Sequence, residues 1–198
     1  MKIAIVTCDG FNEMDSFMAL TLLNRVKRPG WRAELACPSM HALSMNGVKI
    51  TAQRPLMFAS EADAVLFGSG VQTREHVKND SIMSAFHLDP EYQLIGSQCS
   101  GALFLHSLGL LNNTPVCTDA TTGPVLQSLG AQVVEDPFHA KGNIATAGGC
   151  LSATYLAMWV IWRSLGEEAA RDAIAYAAPV GQKELYVDMA TQAIAAFI

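Results

Sequence analysis

The chain has 198 residues, of which 51% are apolar and 16% charged, enough to bury one sizeable core and too apolar for a disordered protein. Its formal net charge is −5, and the basic cluster Arg25-Val26-Lys27-Arg28 is too short for a phosphate-binding face. That composition argues against nucleic-acid or anionic-membrane partners.

The opening run Ile3–Val6 passes into Thr7, Cys8 and Asp9, so it reads as a buried strand rather than a secretory leader. Strands are predicted at Lys2–Thr7, Arg32–Cys37, Ala64–Phe67, Tyr92–Ser97 and Asn143–Ala147, each short, apolar and bounded by glycine, proline or polar residues. Between the first two, Met14, Phe17, Met18, Thr21 and Leu22 form a helical stripe, with Asn12 placed to cap it and Pro29-Gly30 to end it. Ser44–Ile50 reads as a hairpin with Asn46-Gly47 as its turn.

Further helices are predicted at Val71–Asn79, Ser100–Leu108, Cys150–Leu165, Glu167–Ala177 and Lys183–Phe197. The most apolar stretch, Leu151–Trp162, is too short to span a bilayer and reads as a buried helix. Strand and helix alternate without a linker or repeat, so residues 1–198 are expected to form one α/β domain. The expected architecture is a parallel-sheet three-layer α/β/α sandwich with right-handed crossovers. Sites in such sheets form at the carboxyl ends of the strands.

At one such end lies Ser97-Gln98-Cys99-Ser100-Gly101, a cysteine between a strand and a helix with small residues two positions to either side. That is the spacing of a nucleophile elbow, where a sharp turn crowds the neighbouring backbone. The helix start offers N–H groups and a positive field, so a thiolate at Cys99 is the expectation. Another strand ends in Gly68-Ser69-Gly70, and the N–H groups of Gly68 and Ser100 are the expected oxyanion donors, with Ser69 and Gly70 beside the substrate.

The five cysteines, Cys8, Cys37, Cys99, Cys117 and Cys150, are odd in number and widely spaced, without a C-x-x-C pair. They are expected to be reduced thiols in a cytoplasmic protein; Cys117 and Cys150 lie near predicted element ends, where lining the site is one role and a small buried hydrophobe the favoured one. His41, His76, His87, His106 and His139 lack metal-ligand spacing, so neither metal nor cofactor is expected. His106 follows Cys99 by seven residues, about 10 Å along a helix axis, too far for direct contact.

The segments Gly10–Asp15, Leu66–Gly70, Ser97–Gly101 and Gly142–Gly149 together resemble the ThiJ/PfpI superfamily, whose flavodoxin-like fold is similar to that of class I glutamine amidotransferases. The resemblance implies an acidic side chain from the first helix beside the elbow cysteine, which here is Asp15. Asp15 also stands three residues after Asn12, so completing a helix cap is the competing role.

Protease-like members carry histidine after the cysteine, where this chain has Ser100. The deglycase and glyoxalase branches place a histidine near Val116–Asp119, where Asp119 aligns here and Thr118 is its neighbour. Cysteine, a following hydroxyl residue and a first-helix aspartate are most similar to isonitrile hydratases. The resemblance implies hydration of an isocyanide to an N-substituted formamide through Cys99, with Asp15 as acid and base, in a homodimer. A non-catalytic redox or ligand sensor using an oxidisable Cys99, and a glyoxalase- or amidase-like enzyme, are the alternatives.

Overall fold

The computed structural model describes residues 1–198. In chain order the elements are β1 (Lys2–Val6), α1 (Glu13–Leu23), β2 (Arg32–Cys37), β3 (His41–Leu43), β4 (Lys49–Thr51), β5 (Arg54–Pro55) and β6 (Ala64–Phe67). They are followed by α2 (Thr73–His76), α3 (Asp80–Met83), β7 (Leu94–Gln98), α4 (Ala102–Ser107), α5 (Gly123–Ser128), β8 (Phe138–Lys141) and β9 (Ile144–Ala147). Three helices close the chain: α6 (Ala153–Leu165), α7 (Glu167–Ala177) and α8 (Lys183–Ile194).

Seven strands form one sheet in the order β5-β2-β1-β6-β7-β9-β8, and β3 and β4 form a separate antiparallel hairpin. All pairings in the large sheet are parallel except β8 with β9. β8 departs from the expected all-parallel sheet because Gly142, at φ 59°, turns the chain straight back. A two-residue connection can join only antiparallel neighbours.

Alternation along the strands sorts the core into two layers. Ile3 and Ile5 of β1 face one apolar cluster with Leu66 of β6, whereas Ala4, Val6, Val65 and Phe67 face the other. The first layer is closed by α1, α6 and α7 through Leu22, Leu23, Trp159 and Ile174. The second is closed by α4, with Phe104 stacked on Phe67 and Phe86 edge-on to both. Both sheet faces are therefore covered, and no helix is long and apolar enough to cross a membrane.

The helix expected over Val71–Asn79 is shorter than its pattern, running only from Thr73 to His76. Asn79 interrupts it by accepting a hydrogen bond from the Ser81 N–H and starting α3 instead. The short strand β5 and the helix α5 were not expected from the sequence.

The connection from β1 leads outward to β2, while β6 lies on the other side of β1. The crevice at the carboxyl ends of β1 and β6 is therefore the topological switch point, where α/β sheets place their ligands. β7, which ends at Gln98, is the next strand along.

Candidate functional site around Cys99

Cys99 begins a single 3₁₀ turn, Cys99–Gly101, between β7 and α4. Its φ is 48°, and Asn113 is the only other non-glycine residue with positive φ. The left-handed conformation costs an L-residue about 1–2 kcal/mol, so the surrounding structure must hold it. Thr118 does so in part, its hydroxyl donating to the Cys99 carbonyl at 2.7 Å. Gly101 explains the need for a small residue on the far side of the turn. A Cβ there would stand 2.5 Å from the Phe67 carbonyl oxygen and 2.9 Å from that of Gly68.

Asp15 reaches the elbow from the first turn of α1 and is 2% exposed. It takes no part in the helix cap. Asn12 alone accepts from the Met14 N–H, at 3.0 Å. The Ser69 hydroxyl donates to Oδ2 of Asp15, and Oδ1 has no hydrogen-bond partner. A carboxylate oxygen of Asp15, Sγ of Cys99 and Sγ of Cys150 all lie within 4.8 Å of one another.

Cys150 is the residue that sequence reasoning set aside. Rather than sitting in the core it is half-buried, with its sulfur accepting from Nδ2 of Asn12 at 3.1 Å. Gln98 links the two cysteine-bearing loops, its Nε2 lying 2.5 Å from the Gly149 carbonyl oxygen and 3.7 Å from Sγ of Cys99. The signal was present in the sequence, because Gly148-Gly149 marks the turn that delivers Cys150 to the same strand ends.

Burial pushes the Cys99 thiol well above its ordinary range, and the neighbouring Asp15 and Cys150 charges push it further. This corrects the expectation of a ready thiolate. The elbow turn has three residues and α4 only six, so the favourable helix field is small against the cost of burying charge. Burial also raises the Asp15 carboxyl, opposed by contacts with Ser69 and with the two thiols. Asp15 and Cys99 thus both favour their protonated forms, and a proton lies close to either atom.

Of the two expected oxyanion donors, Gly68 needs a correction, whereas the Ser100 N–H has no backbone partner. The Gly68 N–H continues the sheet ladder to the Val6 carbonyl at 3.1 Å and is not free. The Ser69 N–H donates to nothing within the chain. Gly70 gives its N–H to Oγ of Ser100 at 3.2 Å, and Thr73 Oγ1 stands 3.0 Å from the same hydroxyl. Ser100 therefore locks the glycine-rich turn to the elbow through its side chain.

A cavity of about 490 Å³ opens over these groups, with Cys99, Cys150, Ser69, Gly70, Ser100 and Asp119 among its walls. Met45 from the turn between β3 and β4 and Arg74 from α2 also line it. Thr118 is not among its walls. A larger cleft of about 610 Å³ lies beyond Thr118 and Asp119 but reaches neither Cys99 nor Asp15. Burial raises the Asp119 carboxyl, yet donors from Thr121 and Thr122 outweigh it and hold the group below the usual carboxylate range. No histidine lines the cavity over Cys99. His76 binds the Asp9 carbonyl at 2.8 Å, and His106 approaches that of Leu129 at 3.3 Å.

The fold and the elbow together define an α/β domain of the flavodoxin-like type with a cysteine one strand from its switch point. Residues 1–161 match the family model described as the DJ-1/PfpI family, and the chain belongs to that family. Among solved structures, the VC2308 protein is similar with a TM-score of 0.78 at 17% identity, over 94% of this chain and 97% of that one. Schizosaccharomyces pombe DJ-1 is similar with a TM-score of 0.77 at 14% identity, over 90% and 100%. Toxoplasma gondii DJ-1, in a structure described as oxidized, gives 0.76 at 17% identity, over 89% and 97%. No curated protein matches the sequence.

Proposed function

We propose that the protein is a cysteine-dependent hydratase of small molecules, acting on isocyanides in the manner of isonitrile hydratase. The observation that carries this reading is the buried Asp15 carboxyl beside the Cys99 thiol, beneath a cavity that Cys99 lines and whose walls hold no histidine. A terminal isocyanide carbon accepts first a nucleophile and then a proton at the same atom. A thiol with an adjoining carboxyl supplies both without a separate imidazole base.

The sulfur of Cys99 forms a bond to the isocyanide carbon while Asp15 passes the thiol proton to that carbon, giving an S-linked thioimidate. Asp15 then takes a proton from water as its oxygen adds to the same carbon, and returns it to nitrogen. The carbon–sulfur bond breaks as the new hydroxyl becomes the formamide carbonyl, its proton passes through Asp15 to the Cys99 sulfur, and the N-substituted formamide leaves. The Ser69 N–H has no partner within the chain and Ser69 lines the cavity, so this N–H serves as the donor to developing charge. Burial favours protonated Asp15, as the acid step requires.

The test is isocyanide consumption and formamide appearance with wild type, Cys99→Ala and Asp15→Asn. Turnover by wild type, lost in Cys99→Ala and reduced about 10²–10⁴-fold in Asp15→Asn, is the expected result. No turnover of several alkyl and aryl isocyanides by wild type would overturn the assignment. A second reading, a redox sensor without turnover, is favoured by the paired thiols and by the oxidized state named for the Toxoplasma gondii protein. Selective oxidation of Cys99 without isocyanide turnover would support it.

A further inference from the structure

We propose that Cys150 is a resolving thiol for Cys99, and that the two form a reversible disulfide when the site meets a hydroperoxide. Their sulfur atoms lie within 4.8 Å of each other although the residues are 51 positions apart and sit on loops after different strands. A disulfide needs its sulfurs at about 2.05 Å, so one side chain must swing inward. Cys150 has that freedom. It follows Gly149 in the turn before α6, outside the sheet ladder, and its sulfur is held by side chains alone, the Asn12 amide at 3.1 Å and the neighbouring Asp15 and Cys99. The Gln98 amide ties this loop to the elbow, so the two thiols stay in register.

Access is equally specific. Cys99 and Cys150 line the same cavity, whereas Cys8, Cys37 and Cys117 are buried and line none of the space above the elbow. A hydroperoxide entering there meets Cys99 and Cys150 together. The Asn12 amide proton directed at Cys150 favours the sulfur as an attacking thiolate, against burial and the Asp15 charge, which hold that thiol up.

The chemistry balances with the hydroperoxide as the sole oxidant. Its terminal oxygen transfers to the Cys99 sulfur: an S–O bond forms, the O–O bond breaks, and an alcohol or water departs. Cys99 has then lost two electrons and is a sulfenic acid. The Cys150 sulfur attacks it, the S–S bond forms, the S–O bond breaks, and hydroxide leaves with the Cys150 proton as water. Without a resolving thiol the sulfenic acid proceeds to sulfinic acid, which thiol reductants do not reverse. Cys150 therefore protects the elbow cysteine as well as switching it. Disulfide formation requires no turnover, so its failure and the failure of the hydratase reading are separate results.

The experiment treats the full chain with one to a few equivalents of hydrogen peroxide, followed by intact mass and peptide mapping. Wild type is expected to lose about 2 Da, to yield a linked Cys99–Cys150 peptide, and to regain both thiols with a phosphine reductant. Cys150→Ser and Cys150→Ala are expected to gain about 32 Da at Cys99, irreversibly and about tenfold faster than wild type. The proposal is overturned if wild type accumulates oxygen on Cys99 as fast as Cys150→Ser with no linked peptide. It is equally overturned if the 2 Da loss maps to Cys8 and Cys37. Mapping of wild type alone decides the matter should either variant fail to fold.

Discussion

The Thr118 hydroxyl donates to the carbonyl oxygen of Cys99 across 2.7 Å, joining the loop after β7 to the segment that precedes α5. Cys99 holds a φ of 48°, a conformation with a standing tendency to relax, and this bond opposes the relaxation. Thr118→Val keeps the side-chain shape and removes the donor, leaving a carbonyl at a partly buried turn without its partner. A loss of about 1–2 kcal/mol is expected in urea unfolding. Thr118→Ser, which restores the donor, should recover most of it. A stable Thr118→Val beside a destabilised Thr118→Ser would mean that the methyl contact, and not the hydrogen bond, matters here.

Asp15 makes a prediction about pH. Its folded carboxyl is raised, chiefly by burial, so the native state binds that proton more tightly than the unfolded chain. The contribution of Asp15 to stability is then fully present below its unfolded value of about 3.9 and is lost as pH rises through the folded value. Asp15→Asn still offers Ser69 an acceptor but buries no charge. It should be more stable than wild type at pH 8, with the gap closing as the solution is acidified. Thermal melts from pH 4 to pH 8 read this directly. A variant less stable than wild type at pH 8 would show that the carboxylate is well compensated in the site.

The same charge acts on Cys99. After burial, Asp15 is the largest influence raising the thiol. Removing it in Asp15→Asn should move the midpoint of the pH profile for iodoacetamide alkylation of Cys99 downward. An upward shift would mean that the carboxyl stabilises the thiolate by hydrogen bonding more than its charge opposes it. Alkylation needs no substrate, so this measurement stands apart from any turnover assay.

Much of the architecture was legible because its signals are local. The strands Arg32–Cys37 and Ala64–Phe67 and the helix Glu167–Ala177 have the predicted bounds, set by glycine, proline and polar punctuation around apolar runs. The Asn12 cap and the Asn46-Gly47 hairpin turn are equally short-range features. β8 escaped notice because Phe138-His139-Ala140-Lys141 is brief and half polar, and only its pairing with β9 makes it a strand. In the site, the elbow was visible in the spacing from Ser97 to Gly101. The inward direction of Asp15 was expected from the family resemblance and not from spacing, since three residues after Asn12 serves a cap as well as a site. For Cys150, the Gly148-Gly149 turn marked a strand end, but which other strand end it would meet was not legible. Its nearness to Cys99 arises from β7 and β9 being neighbours in the sheet, a long-range pairing that no window of sequence contains.

Ser100 supplies a further prediction about the glycine-rich turn. Its Oγ accepts from the Gly70 N–H at 3.2 Å and meets Thr73 Oγ1 at 3.0 Å, so it couples the elbow to the loop bearing Ser69. Ser100→Ala leaves the Gly70 N–H without that acceptor and should cost about 1–2 kcal/mol. Ser100→Thr retains the hydroxyl and should retain most of the stability. If isocyanides are turned over, Ser100→Ala should lower kcat more than it raises KM, because the displaced Ser69 N–H would act on the transition state. An unchanged kcat would separate the loop from the chemistry.

Two glycines distinguish crowding from backbone conformation. Gly101 has an ordinary helical φ of −55°, so alanine there meets no conformational penalty. Its Cβ, however, would lie 2.5 Å from the Phe67 carbonyl oxygen and 2.9 Å from that of Gly68, both backbone atoms tied into β6 or its end. Neither can retreat without pulling the strand that carries Ser69, so Gly101→Ala should cost about 3 kcal/mol. Gly130 is the opposite case, with a φ of 88° and no atom within 4 Å of the place an alanine methyl would take. Gly130→Ala should cost about 1–2 kcal/mol from its backbone alone. The two variants should also differ at the site: Gly101→Ala should change the rate of Cys99 alkylation, and Gly130→Ala should leave it as in wild type. Similar alkylation rates in both would mean that the elbow tolerates displacement of β6, and that the close approach at Gly101 serves packing alone.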